Sequence, residues 1–565
     1  MTKRSGASFS LLVFRPSVEK ERKSKSYLTK EQLDAIDYEG NLVITACPGS
    51  GKTTILVHKI AACLSHSKDY QGVVALSYTN KSSEELKARC RKLGAELNSS
   101  FFGTIDKFFI NEIILPFVRQ VWGGNESALE VVKYIDLSQE LKDKTNKYFD
   151  RVDFYSNTSF EGMGSLRDIY LKGMLILDFL PHLAFYIVRT SYSCQRYLMA
   201  KYIGFFVDEY QDTGYFTHQV FKFIPTLGMP LIIVGDLDQS IYLYSHRSSD
   251  SLKDFMNDSG FCHKEITVNH RCHPSIVNYA NRIKDFECQL APCDEIFVYR
   301  KCVDGNQIDI AKWIGEVLDN VKNKFSISDN KEIAILVRSN ACAELVSDNL
   351  VVSNRAYLDN DLTKAGGKVS GLVNDLLCYR YNLNKTAQSI LEGVLGSSVK
   401  RSEATRIRKA IKQVRSVTDA FLIDVINKIV VTLLGTEIEQ HHKSALSEIL
   451  VTPRMQNNYL DVRSDEVQIM TLHKSKGLEF DFVFHLDLYD WILPKRVFIE
   501  GSYDVVFENE QQCINLHYVG ITRARKGIML MHSTKRYNGS GDLKNGAPSQ
   551  FLLKPGLDGL YKKIN

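Results

Sequence analysis

Eight consecutive residues near the amino terminus have the types and spacing of a phosphate-binding loop: Ala46, Cys47, Pro48, Gly49, Ser50, Gly51, Lys52 and Thr53. Gly49 and Gly51 carry no side chain, so backbone N–H groups can approach phosphate oxygens there. Lys52 places a positive charge near the β- and γ-phosphates, and the Thr53 hydroxyl is a ligand for Mg²⁺. Thr54 continues the loop into a helix, whose N-terminal dipole favours an anion. This string predicts a nucleotide site that uses Mg²⁺.

A pair of carboxylates, Asp208 and Glu209, directly follows the apolar run 205–207. A carboxylate at the end of a strand can hold Mg²⁺ through water, and a neighbouring Glu can orient or deprotonate an attacking water molecule. An isolated Asp-Glu pair is more often an acidic surface turn. Here the pair opens the longer string DEYQDT at 208–213, which favours the catalytic interpretation.

Short apolar runs precede both strings, and apolar runs alternate with helical patterns along most of the chain. This alternation predicts parallel sheets with crossover helices. The predicted strands are residues 42–45, 73–76, 205–207 and 231–234 in the first half, and 333–337, 468–471, 482–486 and 528–531 in the second. We therefore predict an α/β protein with two parallel-sheet domains, each interrupted by a mainly helical insertion.

This pattern divides the chain into six segments. They are a basic N-terminal arm (1–26), a first α/β domain (27–108 plus 197–280), a helical insertion within it (109–196), a second α/β domain (281–352 plus 462–551), a compact helical insertion within that (353–461), and a C-terminal tail (552–565). Cations in the arm lie among Ser and Glu with no sustained periodicity. This composition favours a solvated tail over an arm that binds DNA or a partner.

The composition is that of an ordinary globular protein, with 44% hydrophobic and 24% charged residues among 565. It excludes an intrinsically disordered chain. A net charge of +5 is too small at this length to indicate a nucleic-acid partner, so local patches must carry that argument. No run approaches the roughly 20 apolar residues of a membrane span. We expect a cytoplasmic protein with no membrane partner.

The string at 208–213 resembles motif II of the UvrD/Rep-type superfamily 1 DNA helicases, and seven further motifs appear in that family's order. They are the Q motif at 28–32 (LTKEQ), motif Ia at 77–81 (SYTNK), Ib at 103–106 (GTID), III at 234–242 (VGDLDQSIY), IV at 269–272 (NHRC), V at 471–480 (TLHKSKGLEF) and VI at 518–524 (YVGITRA). Eight ordered motifs are far more specific than any one of them.

The resemblance implies two RecA-like P-loop domains that bind ATP and Mg²⁺ in the cleft between them. Lys52, Thr53, Asp208 and Glu209 come from the first domain. Across the cleft, Arg271 and Arg523 are expected to reach the γ-phosphate, since the guanidinium fork suits phosphate geometry. The family pattern gives four more residues a role: Gln239 senses the γ-phosphate, Gln32 reads the adenine edge, His270 stacks on adenine in place of the usual Tyr, and Glu479 lies near the ribose.

The resemblance also predicts residues that contact single-stranded DNA: Tyr78, Thr79, Asn80, Thr104, Tyr242, Tyr244, His473, Trp491 and Tyr518. A base stacked on an aromatic side chain contributes about 1–3 kcal/mol with little dependence on sequence. For Tyr242 and Tyr518 a position in the core is an equally good interpretation, whereas Tyr244 is the better candidate for base stacking.

The second insertion contains a basic amphipathic helix around 400–415. Ala404, Ile407, Ala410, Ile411 and Val414 fall on one side, and Arg408, Lys409, Lys412 and Arg415 fall opposite. A solvated basic face and a contact with duplex DNA or a partner are equally good interpretations.

Three functions are compatible with these patterns. The first is an ATP-dependent helicase or translocase on single-stranded or forked DNA, with 3′→5′ polarity if it follows the family. The second is a DNA-stimulated ATPase subunit beside a companion nuclease, because the compact insertion and the basic arm are similar to the helicase-like subunit of Gabija-type anti-phage systems. The third, a DNA-binding protein with a decayed ATP site, is disfavoured by the intact catalytic positions.

Overall fold

The computed structural model describes residues 28–124, 129–149, 163–239, 250–365, 367–382, 385–395, 401–497, 506–538 and 540–564. The predicted N-terminal arm, Tyr242 and Tyr244 lie outside these ranges. Within them the chain builds two large sheets in which all ladders are parallel, which confirms the predicted α/β class. We call the six-stranded sheet with its helices the first lobe, and the seven-stranded sheet with its helices the second lobe.

The described strands of the first half are β1 Leu42–Ala46, β2 Gly72–Ser77, β3 Phe101–Thr104, β4 Glu130–Val132, β5 Met174–Ile176, β6 Tyr202–Val207, β7 Leu231–Gly235 and β8 Cys262–Ile266. Six of them form the first sheet in the order β3-β2-β6-β7-β1-β8. Because they are parallel, the carboxyl ends of β1, β6 and β7 meet at one edge, which is where open α/β sheets bind ligands. The phosphate-binding loop and Asp208-Glu209 both follow strands at this edge.

The described helices of the first half are α1 Lys30–Asp37, α2 Lys52–Leu64, α3 Asn80–Lys92, α4 Ile105–Phe108, α5 Leu115–Trp122, α6 Gln139–Thr145, α7 Gly164–Leu171, α8 Leu180–Thr190, α9 Tyr192–Lys201, α10 Tyr215–Phe223 and α11 Asp250–Asn257. A π-helical turn, Phe109–Ile114, joins α4 to α5. Trp122 and Ile187 of the first insertion belong to the same apolar cluster as Val43 and Val74 of the sheet. The insertion is therefore packed as a continuation of the first lobe.

The described strands of the second half are β9 Val298–Val303, β10 Ile333–Val337, β11 Asn354–Ala356, β12 Val467–Thr471, β13 Phe480–His485, β14 Arg496–Val497, β15 Val506–Phe507, β16 Ala524–Ser533, β17 Lys535–Tyr537, β18 Leu543–Asn545 and β19 Lys562–Ile564. The seven-stranded sheet has the order β11-β12-β10-β13-β16-β9-β19. The helices are α12 Pro274–Lys284, α13 Gln307–Phe325, α14 Asn340–Asn349, α15 Asp361–Ala365, α16 Gly367–Tyr381, α17 Ala387–Leu395, α18 Arg401–Ser416, α19 Asp419–Leu434, α20 Gln440–Val451, α21 Pro453–Gln456 and α22 Glu510–Ile521.

Two segment boundaries differ from the sequence prediction. Helix α12, which a boundary at residue 280 assigns mostly to the first domain, buries Ile276 and Tyr279 in the apolar cluster of the second lobe. The crossing between the lobes therefore precedes α12. The residues predicted as a C-terminal tail instead end in β19, which pairs in parallel with β9 and completes the second sheet. A three-residue edge strand is too short for periodicity to reveal.

The second insertion has an apolar core of its own, built by α16 to α20. The predicted amphipathic helix is α18, and Ile407, Ile411 and Val414 are fully buried in that core. Arg415 is not part of a free basic face, because its guanidinium donates to the carbonyls of Tyr379, Asn382 and Lys385 over 2.7–2.9 Å. Lys409 and Lys412 remain exposed on the opposite side.

Candidate nucleotide site and DNA cleft

The phosphate-binding loop connects β1 to α2 through two residues in the left-handed region, Gly49 (φ +71°) and Gly51 (φ +83°). A Cβ atom at Gly49 would lie 2.4 Å from Cβ of Arg271, so only glycine fits there. The Ser50 side chain is fully buried, and its hydroxyl has no hydrogen-bond partner among the described residues. A glycine-containing loop at a helix N-terminus, with a buried hydroxyl that no described residue binds, fits a phosphate group.

Lys52 begins α2, and its ammonium group donates to Ala46 O (3.0 Å) and Asp236 Oδ2 (3.1 Å). Burial opposes protonation, but the carboxylates of Asp236, Glu209 and Asp208 outweigh it and raise the pKa of Lys52 above its ordinary value. Lys52 is therefore a fixed positive charge at the predicted position of the β- and γ-phosphates.

Asp208 and Glu209 follow β6, and Glu209 takes a left-handed conformation with φ +53°. Burial, reinforced by the charge of Glu209, raises the pKa of Asp208 to about 7. Burial also acts against ionised Glu209, but the Lys476 and Lys52 ammonium groups and a hydrogen bond from Gln211 outweigh it and lower the pKa of Glu209. The site thus holds Glu209 as the ionised carboxylate, the form that can accept a proton from water.

Arg523 comes from the second lobe, just after α22, and its side chain is almost completely buried. Its guanidinium donates to Val519 O (3.0 Å), Leu478 O (3.1 Å) and, in the first lobe, Gln239 Oε1 (3.3 Å). Gln239 in turn donates to Asp236 over 2.6 Å. Two motif residues that lie 284 positions apart in sequence therefore touch at the nucleotide site.

Arg271 lies on the crossing between the lobes, and its Nε is 2.6 Å from Glu479 Oε2. The neighbouring His270 is exposed, and its backbone N–H donates to Gly49 O over 3.0 Å. Motif IV therefore packs on the phosphate-binding loop. Glu479, expected near a ribose, is here the ion-pair partner of Arg271.

Gln32 is buried and uses both atoms of its amide within the first lobe. Its Oε1 accepts from Thr29 N (2.9 Å), and its Nε2 donates to Ser50 O (2.8 Å). The expected contact of Gln32 with an adenine edge stays a prediction. The structure adds a direct hydrogen bond from Gln32 to the phosphate-binding loop. Cys47 lies on the same loop, and burial, with Asp236, raises the pKa of its thiol to about 11. This thiol is thus a poor nucleophile.

Lys476, in motif V, is a cross-lobe residue that the sequence alone did not single out. Its ammonium donates to Asp212 Oδ2 (2.5 Å) and Gln239 O (2.8 Å), both in the first lobe, and lies 3.8 Å from Glu209. The side chain is only 8% exposed. The match to motif V drew attention to this stretch of sequence, but the partners of Lys476 depend on how the two lobes meet.

A cleft of about 730 Å³ opens between the two lobes. In each lobe a helix N-terminus lines it, because Thr79 caps α3 after β2 and Ser339 caps α14 after β10. The two caps accept from Ser82 N and Cys342 N. Sequence reasoning missed Arg338, Ser339 and Asn340, although the polar turn after 333–337 repeats the pattern after 73–76.

The predicted DNA residues are distributed unevenly around this cleft. Tyr78, Thr79 and His473 line it, and Asn80 is exposed at the start of α3. Burial, with the charges of Arg338 and Lys476, lowers the pKa of His473 to about 4, so the imidazole is neutral near pH 7. A neutral ring can stack on a base.

A smaller cavity of about 310 Å³ lies between the first sheet and the first insertion, lined by Thr104, Tyr215 and Phe216. Tyr78 lines both cavities, so the two are adjacent along the first lobe. A path that runs through both offers aromatic surfaces and helix N-termini, which suit the bases and phosphates of a single strand.

Two other predicted DNA residues are placed away from these cavities. Tyr518 belongs to the apolar cluster of the second lobe and is 3% exposed, so the structure supports the core interpretation for it. Lys284 lies over its ring at 4.5 Å. Trp491 is 44% exposed and lies under Arg496, and it is not among the residues that line either cavity.

Comparison with known proteins agrees with this geometry. Residues 30–245 match the family model of an AAA domain, and residues 399–535 match that of the UvrD-like helicase C-terminal domain. The chain is a UvrD-like helicase. The two matches lie on the two lobes that enclose the nucleotide site, and this helicase is accordingly an ATP-dependent enzyme of the DNA helicase class.

Two relatives of this helicase match over nearly the whole chain. Gabija protein GajB of Bacillus cereus (strain VD045) is 28% identical over 535 residues, which covers 90% of this chain and 96% of the relative. The ATP-dependent DNA helicase PcrA of Staphylococcus aureus is 23% identical over 641 residues, covering 93% of this chain and 86% of the relative. Among the described residues, no helix combines the length and apolar character needed to cross a membrane.

Proposed function

We propose that this helicase hydrolyses ATP between its two lobes and uses the cycle to move along single-stranded DNA in the 3′→5′ direction. The observation that carries the proposal is that Glu209 and Lys476 belong to two sites at once. Both line the 730 Å³ cleft. Glu209 also lies within the electrostatic reach of Lys52 in the phosphate-binding loop, and Lys476 lies 3.8 Å from Glu209. A strand in the cleft and a phosphate at the loop would therefore act on the same charged pair.

In this proposal the first lobe binds the nucleotide. Backbone N–H groups around Gly49 and Gly51, the buried Ser50 hydroxyl and the Lys52 ammonium would hold the phosphates, and Thr53 and Asp208 would hold Mg²⁺. Mg²⁺ bound there would supply positive charge beside the phosphates. The ionised Glu209 takes the proton of the attacking water. Glu209 suits this role because its lowered pKa keeps the carboxylate ionised.

The second lobe would supply the positive charge of an arginine side chain to the γ-phosphate. Arg523 is aligned by two carbonyls of its own lobe and points at Gln239, so a small closure brings its guanidinium to the γ-phosphate. Arginines that act in this way raise phosphoryl-transfer rates by about 10³–10⁵. Arg271 would leave Glu479 to join it. Hydrolysis would then depend on the distance between the lobes.

The single strand would run through the cleft and past Tyr78 into the smaller cavity. The N-termini of α3 and α14, which line the cleft from the two lobes, would face its phosphates, and the cleft-lining Tyr78 and His473 would face its bases. Because each lobe would contact the strand separately, opening and closing the nucleotide site would shift the DNA contacts of one lobe relative to those of the other. This is the physical basis for directional movement.

Strand displacement on 3′-tailed and 5′-tailed duplexes tests the proposal, with ATPase activity measured on the same DNA. We expect DNA-stimulated ATPase activity and unwinding of the 3′-tailed duplex only. Glu209→Gln serves as the negative control, and an exposed change, Lys92→Met on α3, as the positive control. Unwinding of the 5′-tailed duplex alone would overturn the polarity. Absence of DNA-stimulated hydrolysis in the wild type would overturn the function.

A second candidate is a DNA-stimulated ATPase subunit of an anti-phage complex that contains a nuclease, with little unwinding by itself. GajB favours it, since this helicase spans 96% of that relative and aligns with it over fewer residues than with PcrA, in keeping with a compact second insertion. Strong DNA-stimulated ATPase without strand displacement would support this candidate. Co-purification with a nuclease encoded beside it, and unwinding or cleavage only in the joint complex, would decide for it.

A further inference from the structure

Lys59 is a buried lysine that the nucleotide chemistry described above does not use. It lies on α2, seven residues after Lys52, and is only 7% exposed. Its ammonium group donates to three backbone carbonyls: Ala35 O (3.0 Å), Ile36 O (3.2 Å) and Tyr38 O (2.7 Å). An ammonium has three N–H donors, so all of them are used.

These three carbonyls are at the C-terminal end of α1. The last carbonyls of a helix have no partner within the helix, and they carry the negative end of its dipole. Helix α1 has no basic residue in its last turn. Lys59 therefore supplies from α2 the cation that α1 lacks. Burying an amine is costly unless it is fully hydrogen-bonded, which three carbonyls achieve here.

The other end of α1 holds the nucleotide loops. Gln32 donates to Ser50 O (2.8 Å), and a Cβ on Gly51 would meet Gln32 Nε2 at 2.7 Å. Glu31 accepts from the backbone N–H and the hydroxyl of Thr267, both over 3.1 Å, just before motif IV. The eight residues of α1 thus touch the phosphate-binding loop and the segment that leads to Arg271.

We propose that Lys59 is a positioning residue for nucleotide binding, which acts by fixing α1 so that Gln32 holds the phosphate-binding loop in its binding conformation. The inference rests on the proposed ATP site. Lys59 touches neither loop itself. Its effect passes along a rigid helix that is pinned at one end by Lys59 and at the other by Gln32 and Glu31.

The test compares Lys59→Met with wild type, because methionine keeps the length and the apolar stem but has no donors. Lys92→Met, an exposed lysine on α3, is the matched control. Two quantities are measured: the Kd for a fluorescent ATP analogue without DNA, and KM and kcat of the DNA-stimulated ATPase. We expect Kd and KM to rise about tenfold, a loss comparable to one or two hydrogen bonds, with kcat within about twofold of wild type.

A double-mutant cycle with Gln32→Ala separates positioning from general stabilisation. If Lys59 acts through Gln32, the double variant binds the analogue about as weakly as Gln32→Ala alone, whereas independent effects multiply. Multiplied effects, or an unchanged Kd in folded Lys59→Met, would overturn the proposal. Where Lys59→Met does not fold, Lys59→Gln, which keeps one amide donor group, is measured instead. If neither folds, Lys59 is a core residue and the proposal is wrong. Failure of the wild type to bind the analogue would instead remove the ATP site itself.

Discussion

The Nη2 atom of Arg523 lies 3.3 Å from Oε1 of Gln239, and this hydrogen bond joins the second lobe to the first at the nucleotide site. Lys476 makes a second crossing, to Gln239 O over 2.8 Å. Gln239 also donates to Asp236, which is the ion-pair partner of Lys52. Arg523 of the second lobe is therefore connected to Lys52 through two side chains, Gln239 and Asp236. A change in the distance between the lobes can alter the position of Lys52 through them.

Arg523→Ala should leave the Kd for ATP within a few-fold of wild type and abolish DNA-stimulated turnover. The guanidinium donates to two carbonyls of its own lobe, and among the described residues of the first lobe it donates to Gln239, so we expect it to contribute little to ground-state binding. The expected loss of kcat is about 10³-fold or more. Equilibrium binding and steady-state ATPase assays check this. A collapse of affinity, with residual turnover still stimulated by DNA, would make Arg523 a binding residue.

Glu209→Gln should bind ATP normally and lose turnover by at least about 10², the lower range for removal of a general base. The amide keeps the shape and can still meet Gln211, but it cannot take a proton. Single-turnover hydrolysis measures the chemical step directly. Gln211→Glu is unsuitable as a control because it adds charge to the site, so Lys92→Met is used. Near-normal hydrolysis by the Gln variant would remove Glu209 from the role.

Lys409→Glu combined with Lys412→Glu should weaken binding to forked DNA or to a partner subunit and flatten the salt dependence of that binding. Both cations are exposed on α18, whereas Arg415 is committed to loop carbonyls and Arg408 donates back to Ala404 O over 3.2 Å. The salt slope should fall by about one for each phosphate that the variant no longer neutralises. ATPase stimulated by single strands should not change.

A salt titration of binding to forked and single-stranded DNA, beside a pull-down of a co-expressed neighbour, checks that prediction. Lys428→Glu on α19, an exposed cation of the same insertion, is the matched control. If the double variant matches wild type in both affinities, both slopes and the pull-down, the basic face of α18 is only solvated.

Arg355→Ala should destabilise the second lobe by about 3 kcal/mol, because the buried Glu466 loses its buried partner and keeps only the exposed Arg463, 3.6 Å away. Arg355 on β11 is 2% exposed, lies 2.7 Å from Glu466, and donates to the carbonyls of Asn457 and Leu460 at the end of the second insertion. Arg355 therefore links the chain segment that enters the second insertion to the segment that leaves it. Urea unfolding monitored in the second lobe measures the loss.

The exposed Lys312→Ala on α13 is the control for Arg355, with an expected change below about 1 kcal/mol. Arg355→Met combined with Glu466→Leu should recover most of the stability, since both charges are then gone. If Arg355→Ala costs no more than the control, the buried pair does not stabilise the lobe.

His517→Gln should reduce the loss of stability at acid pH. His517 and His485 are fully buried, and Nδ1 of His517 lies 2.9 Å from Nε2 of His485. Burial lowers the pKa of His485 to about 4, and burial, followed by the neighbouring His485, lowers the pKa of His517 well below its usual value. Unfolded histidines titrate near a pKa of about 6.5, so only the unfolded state takes up these protons between about pH 6.5 and 4.

The stability from this pair is therefore present above about pH 6.5 and lost as the pH falls toward about 4. Melting temperatures of wild type and His517→Gln at about pH 7.5 and about pH 5 check the sign. Glutamine does not titrate and can still donate to His485. We expect a smaller difference between the two pH values in the variant, and an equal difference would show that the pair does not contribute.

The sequence by itself determined the class of the fold and the first half of the nucleotide site. Each of the eight predicted strands overlaps an observed one, because buried parallel strands are continuous apolar runs that local sequence displays. The string from Ala46 to Thr53 and the pair Asp208-Glu209 each combine a strand end with chemically specific residues. Such short-range signals need no knowledge of the rest of the chain.

Strands and boundaries with weak local signals were missed. β8 is an edge strand with the sequence CHKEI, and β19 has only three residues, so neither has an apolar run. The position of α12 in the second lobe was also not foreseen, because its apolar face indicates burial without saying against which sheet. Amphipathicity fixes a face but not a partner.

Only the tertiary structure decided which charged groups face each other. Lys476 and Asp212 are 264 positions apart, and the hydrogen bond between Arg523 and Gln239 spans 284. The same holds for Tyr518, whose motif predicted a DNA contact and whose ring is buried in the second lobe, and for Lys59, whose three carbonyl partners come from another helix and the residue that caps it. Side-chain partners across lobes depend on how two separately folded sheets meet, and no local pattern in the sequence records that geometry.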